Sequence, residues 1–512
     1  MTGRNLKVLF VSAEVAPFSS VGGLSQGSYF LPRVLLKMGV DVRIFTPKYG
    51  TIDEKKFPLK MAVEELRVPT GEEAEAAGPQ ELICNVKIFG EQKKTEPTVY
   101  FLENAEYYEK RANVYGYSDD HIRFGLLSRG ALEFIKTERF VPDLIHANDW
   151  HVAYLINFLR DNYKNDPVLR KIATLLSVHN LHQGSFDFGH ATDMDFDDGK
   201  APLASFFSER FYKQNALKRG IMNADIVNTV SETYSREIMR EEYGWGLDKL
   251  FKELRGKLFG VLNGLDYQDF NPATDKLIKK NYGTGSTDAR RENKIDLQKE
   301  FHLEVAPDKP ILAMAGRLDG QKGLDLVLET LEFILTEFPE VQFIAMGGGD
   351  LNYRDRLEDF EKRFPQRVGT HLMPNWSLPR KIFAGADVLL LPSKYEPGGI
   401  TALEAMRYGC VPLVRATGGL NDSVTDYDSV RNVGTGFKFI NYAKESFLVT
   451  VVRVLEAYRH KDAWKKLVKR CMEQDFSWPK VAEKYLDLYS RAMKFRHEAL
   501  LPNPPTVFRQ MM

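Results

Sequence analysis

With 70 Lys+Arg against 70 Asp+Glu, the 512-residue chain carries no formal net charge, which argues against a general nucleic-acid binder, since those show a basic excess. A chain this long exceeds one ordinary core, and 43% hydrophobic with 27% charged residues is the balance of a globular protein in water, so two domains are expected. Cys84, Cys410 and Cys471 are far apart and odd in number, which gives no disulfide framework or zinc knuckle and suits a reducing compartment.

Taken in chain order, the first apolar run is LKVLFVS (6–12). It is too short for a signal peptide and is soon followed by Glu14; no window reaches the roughly 18 apolar residues of a membrane span. A cytoplasmic protein with no membrane partner is the expectation. The next stretch, EVAPFSSVGGLSQ (14–26), places a glycine pair between a strand and a helix, a suitable place for a phosphate, yet it contains no Lys or Arg. Further β-rich runs follow: DVRIFT (41–46), TVYFL (98–102), DLIHA (143–147), IATLLSV (172–178) and DIVNTVS (225–231). Helical spacing between them marks βαβ units and a parallel sheet. The segment 277–294, polar and glycine-containing, reads as the best linker. A second series begins near 310: PILAMAG, VQFIAMGGG, THLM, DVLLLPS, VPLVRA and GFKFI, again separated by helical patterns. The fold class is therefore α/β, with two doubly wound domains, a cleft between them, and ligands expected outside the carboxyl ends of the strands. GEEAEAAG (71–78) reads as a short acidic surface segment and DMDFDD (193–198) as a solvated acidic loop.

Chemistry concentrates after the strands. In LLLPSKYEPGGITALEAMRYG (389–409), Glu396 precedes Gly398 and Gly399, and Glu404 lies more than a turn inside the following helix. Two carboxylates so spaced suit sugar hydroxyls; equally, Glu396 fits a helix cap and Glu404 a paired helix charge. In AGRLDGQKGLD (315–325), Arg317 and Lys322 flank Gly320 before a helix, an arrangement suited to a diphosphate, or to two solvated charges. RATGGLNDSV (415–424) and MGGGD (346–350) are glycine turns with the same ambiguity. In the first half, IHANDWHVAYL (145–155) and SVHNLHQGSF (177–186) follow strands; His146, Asp149, His151 and His182 lack the spacing of a metal motif, so no metal is expected.

Together these motifs resemble the bacterial glycogen synthase and starch synthase family, glycosyltransferase family 5, of the GT-B fold. VGGLSQ, IHANDWH, FYKQNALKRGI, NTVSETYSREI, GVLNGLDYQDFNPATD, GRLDGQKGLD, YEPGGITALEAM and ATGGLND carry the resemblance, from residue 6 to about 495. It implies two Rossmann-like domains facing across a deep cleft: 1–270 on the acceptor side, 271–480 for the nucleotide-sugar donor, and 481–512 a helix crossing back plus tail, with closure hinged near 270 and 480. It implies transfer of glucose, with retention and without a cofactor or metal, from ADP-glucose or UDP-glucose to an α-1,4-glucan acceptor, ADP-glucose being the expected donor. His179, Arg317, Lys322 and Glu396 match catalytic positions, Arg317 and Lys322 those on the donor diphosphate. Gly22, Gly23, Asn215, Gly398, Gly399, Glu404, Thr417, Gly418 and Gly419 match donor-binding positions, and Asp149 and Trp150 the acceptor side. Trp376, in the 347–380 region, is a candidate for stacking on the base.

The chain departs from the family pattern at three positions. Ser20 replaces a lysine that helps bind the donor phosphates, Gln26 an aspartate, and Gly398 a frequent cysteine. One lost cation beside a diphosphate costs about 1–3 kcal/mol. Two other readings remain at this stage: a GT-B enzyme with a lipid-linked or small-sugar acceptor, and a catalytically weak glucan-binding homologue.

Overall fold

The computed structural model describes residues 6–71, 78–90, 96–181 and 197–501. The chain divides into two compact units: one formed by 1–230, 235–264 and 478–512, the other by 231–234 and 265–477.

The first unit is built on a sheet of nine described strands: β1 (Lys7–Val11), β2 (Asp41–Pro47), β3 (Lys60–Pro69), β4 (Glu81–Phe89), β5 (Thr98–Glu103), β6 (Leu144–Asn148), β7 (Ala173–Val178), β8 (Ile226–Thr229) and β9 (Leu258–Gly260). Their order is β3-β4-β5-β2-β1-β6-β7-β8-β9. From β5 through β2 to β9 neighbours are parallel, whereas β3, β4 and β5 pair antiparallel at one edge. β6 and β7 are buried along their whole length, as continuous apolar runs covered on both faces must be. The helix Trp478–Ala499 packs on this sheet: Tyr489 Oη lies 2.8 Å from His146 Nδ1 on β6, and Trp478 covers Gly264 so closely that a Cβ there would lie 2.6 Å from its ring.

The second unit holds six described strands, β10 (Ile311–Ala315), β11 (Gln342–Met346), β12 (Val368–His371), β13 (Val388–Leu391), β14 (Val411–Arg415) and β15 (Phe437–Phe439), all parallel, in the order β12-β11-β10-β13-β14-β15. The helix Leu324–Glu337 shows why this region folds as it does: Leu324, Val327, Leu328, Leu331 and Ile334 recur at helical spacing and are buried.

Strand order reverses at one place in each sheet. In the first unit the chain goes from β1 to β2 on one side and later to β6 on the other; in the second it goes from β10 to β11 and later to β13. At such points the loops leaving the carboxyl ends diverge and open a crevice.

One sequence expectation is corrected. The segment 277–294 is not a linker: Tyr282 is 2% exposed and donates to the Tyr408 carbonyl at 2.7 Å, and the helix Arg290–Glu300 begins inside it with a buried Arg290. The β3–β4 hairpin was unanticipated. Residues 72–77 of the acidic segment lie outside the described residues, as does His182.

Candidate active site

In the second unit, four loops leave the carboxyl ends of β10, β11, β13 and β14 and interlock through glycines. Gly347 has φ +148°, and a Cβ there would lie 1.7 Å from the Gly316 carbonyl oxygen. Gly418 has φ +44°, and its Cβ would lie 1.9 Å from the Glu396 carbonyl oxygen; at Gly419 the corresponding clash is with Gly398. Gly419 N–H in turn donates to the Glu396 carbonyl at 3.0 Å. The loops can approach one another this closely only because these positions lack side chains.

This frame brings together residues far apart in sequence. Lys322 Nζ lies 2.7 Å from Glu396 Oε2, which also accepts from Ser393 Oγ at 3.0 Å. Glu396 therefore does not cap the following helix; Gly399, at φ +63°, occupies the cap position without a side-chain bond. Arg317 differs from Lys322. Its side chain is 62% exposed, with Nη1 3.1 Å from Asp319 and Nη2 donating to Gln321 at 2.9 Å, so its guanidinium stands at the mouth of the crevice. Asp319 also accepts from Lys322 N–H at 3.1 Å, fixing the tight turn Gly320–Lys322.

Glu404 sits one turn into the helix Ile400–Arg407 and is half-buried. Burial pushes its carboxyl up to about 7, aided by Asp269 and opposed by Arg380. Thr417 is buried at the start of the helix Gly418–Ser423. Arg415 was missed in the sequence. Almost fully buried at the end of β14, it donates to the Ser393 carbonyl at 2.8 Å and to the Lys394 carbonyl, holding the loop that carries Glu396. Trp376 is 85% exposed; two residues before it, Pro374 packs on Gly348.

In the first unit, the loops after β1, β6 and β7 meet. His179 Nε2 lies 3.2 Å from Asn148 Oδ1, and Asn148 Nδ2 donates to the Val11 and His146 carbonyls. That orientation leaves Oδ1 as acceptor, so His179 carries its proton on Nε2. Burial holds the His179 imidazole down to about 4, so it is neutral at pH 7. A Cβ on Gly27, in the helix Gly23–Lys37, would lie 3.7 Å from His179 Cε1, which places that helix beside the histidine. Asp149 adopts φ 64° and accepts from Trp150 N–H at 3.1 Å. Trp150 is itself buried, against Phe124 and stacked on His151 at 4.0 Å, so its ring is a packing element here.

Gly22 caps the start of the helix Gly23–Lys37, but its N–H already has a partner. Glu14, 1% exposed, accepts through Oε2 from Val21 N–H at 2.5 Å and Gly22 N–H at 3.3 Å. In the sequence Glu14 stands out only as the first charge after an apolar run. Asn215 caps the helix Ala216–Asn223 by accepting from Lys218 N–H at 2.9 Å, and its buried Nδ2 has no partner among the described residues. Its backbone is held by Asp197, which accepts from Asn215 N–H at 2.7 Å and pairs with Arg219 through both oxygens. Asp197 is therefore not part of a solvated acidic loop; residues 193–196 lie outside the described residues. His146 is used internally, with Tyr489 on Nδ1 and Ser177 on Nε2 at 2.6 Å.

Residues 7–253 match the family model of the starch synthase catalytic domain, and 297–470 that of glycosyl transferases group 1. The chain is 38% identical over 495 residues to a glycogen synthase of Clostridium novyi, covering 95% of this chain and 99% of the relative. It is 37% identical over 495 residues to a glycogen synthase of Thermotoga maritima, with the same coverage. Among solved structures it is similar to the catalytic domain of starch synthase IV from Arabidopsis thaliana bound to ADP and acarbose, with a TM-score of 0.81 and 28% identity, over 96% of this chain and all of that one.

Proposed function

Because the chain belongs to the glycogen and starch synthase family of glycosyltransferases, we propose that it lengthens an α-1,4-glucan with glucose taken, with retention, from ADP-glucose. The observation that carries this reading is the Lys322–Glu396 pair at the β10/β13 reversal, with Arg317 at its edge and a glycine frame around it. As the bond from glucose to the diphosphate breaks, negative charge grows on the departing oxygen. Lys322 and Arg317 stabilise that charge, the term on which most of the acceleration in such reactions rests. Glu396, fixed by Lys322 and Ser393, accepts from hydroxyls of the transferred glucose. Glu404 serves the ribose, and Thr417, Gly418 and Gly419 surround the phosphates. On the first unit, His179 is neutral and gives its Nε2 proton to Asn148, which leaves Nδ1 to accept from a sugar hydroxyl, and Asn215 and Asp149 match the family's sugar and acceptor positions.

The preference for ADP over UDP is supported by the similarity to a starch synthase whose structure holds ADP. Incubation with ADP-glucose or UDP-glucose and a glycogen primer tests the proposal, with and without EDTA. Chain growth from ADP-glucose, faster than from UDP-glucose and indifferent to EDTA, is expected. No growth from either donor refutes the reading, and faster growth from UDP-glucose refutes the preference.

A further inference from the structure

We infer that Glu14 is a positioning residue for the turn Val21–Gly23 and that its carboxylate, by taking the N–H groups at the start of the helix Gly23–Lys37, weakens donor binding when it is ionised. The inference rests on the reading of Gly22 and Gly23 as donor-binding positions.

The geometry is that of an internal anion seated at a helix start. Glu14 Oε2 accepts from Val21 and Gly22 N–H at 2.5 and 3.3 Å, and no side chain caps the helix otherwise. The turn is clamped around the carboxylate by serines. Ser12 Oγ donates to the Glu14 carbonyl at 2.9 Å, Val15 N–H donates to Ser19 Oγ at 3.1 Å, and Ser25 Oγ donates to the Gly22 carbonyl at 2.8 Å. Ser20, adjacent to Val21, shares a 2.7 Å hydrogen bond with Ser25 and offers a hydroxyl where an ammonium would offset the carboxylate. An N–H pair already bonded to one anion is a poorer host for a second, and the buried negative charge repels a diphosphate.

The groups facing Glu14 leave its charge free to change in the working range. The Tyr115 hydroxyl donates to it, and Tyr49, which also senses Arg123 and Asp120, lies close enough to interact electrostatically. His151, packed on Tyr115 at 5.3 Å, is held down to about 3 by burial and stays neutral. Burial pushes Glu14 up to about 7 against the pull of the two N–H bonds. The diphosphate of a nucleotide-sugar is a diester whose charge does not change near neutrality. The coupling is reciprocal: bound donor favours protonated Glu14.

The test is the donor KM and kcat between about pH 6 and pH 9 for the native chain and Glu14→Gln, whose amide oxygen still accepts from both N–H groups. Native KM is expected to rise about 2- to 5-fold through neutrality, the range for one charge at a helix end, while E14Q keeps the low value throughout and its kcat follows the native curve. Glu404 also titrates near 7, so the readout is the difference between native and variant. Ser20→Lys is expected to lower KM at the alkaline end, and serves as the second variant if E14Q does not fold. An E14Q curve that parallels the native one, an effect on kcat alone, or an unchanged KM in S20K overturns the inference. If neither donor elongates a glucan, the functional reading has failed. ADP titrated calorimetrically at pH 6 and 8.5 then decides: an equal pH ratio of affinities in native and E14Q overturns the role of Glu14, and a flattened ratio in E14Q upholds it.

Discussion

Lys322 Nζ and Glu396 Oε2 lie 2.7 Å apart although 74 residues separate them, because β10 and β13 are neighbours at the place where strand order reverses. The two side chains are 22% and 13% exposed, so removing either leaves the other partly buried without its main partner. Lys322→Ala and Glu396→Ala are each expected to lower kcat/KM by about 100- to 1,000-fold. The double variant should lose about as much as either single one, since groups that act as a unit are not additive. Strictly multiplied losses would show that the pair has no shared role.

The glycine frame makes a second prediction. Gly418→Ala combines φ +44° with a Cβ 1.9 Å from the Glu396 carbonyl oxygen, so the loop bearing Glu396 must move. A loss of about 2–4 kcal/mol in stability and a fall in kcat are expected. Gly39→Ala is the control: its φ is +92° but nothing lies within 4 Å of the added carbon. It should cost about 1–2 kcal/mol and leave kcat alone. Urea unfolding with steady-state kinetics separates the two.

Glu14 predicts the sign of one term in stability against pH. Its carboxyl is raised from 4.5 to about 7 by burial, so between these values the folded chain holds more protons than the unfolded one and stability falls as pH rises. The contribution is fully present below 4.5 and is lost by roughly 3 kcal/mol once pH passes 7. Glu14→Gln should therefore gain stability over the native chain at pH 8.5 more than at pH 5.5, by denaturant midpoint. An equal difference at both would place the carboxyl in its ordinary range.

Trp376 is 85% exposed and stands two residues from Pro374, which packs on Gly348; the Gly348 carbonyl accepts from Leu318 N–H at 2.9 Å, next to Arg317. An aromatic face so placed suits a nucleotide base. Trp376→Ala is expected to weaken ADP by about 1–3 kcal/mol, the range for base stacking on an aromatic ring, and to leave inorganic pyrophosphate unchanged. Equal effects on both ligands would tie Trp376 to the phosphates or to folding.

The parallel strands were legible because strands covered on both faces leave unbroken apolar runs such as ILAMA and VLLL. The glycine turns after them were legible for their backbone needs. The β3–β4 hairpin was not, because it is an edge pair with shifted register and many exposed positions, which blurs the period of two. Tyr282 and Arg290 lie in a polar, glycine-containing stretch, so composition suggested a linker where tertiary contacts make a packed segment. Asp197 and Glu14 show the same limit at the site. A carboxylate in a polar stretch or after a strand carries no local sign of whether water or a buried hydrogen-bond donor will meet it; Arg219 and the Val21 and Gly22 N–H groups supply that only on folding.

The helix Trp478–Ala499 belongs to the first unit, though the whole of 265–477 precedes it in the chain. On the ribosome the first unit therefore waits, its β6 surface lacking Tyr489 and Gly264 lacking the Trp478 ring, until residues 478–499 are translated. The second unit is translated in full before then. A premature stop anywhere in the closing helix thus damages the part of the protein made first, and leaves the part made later intact.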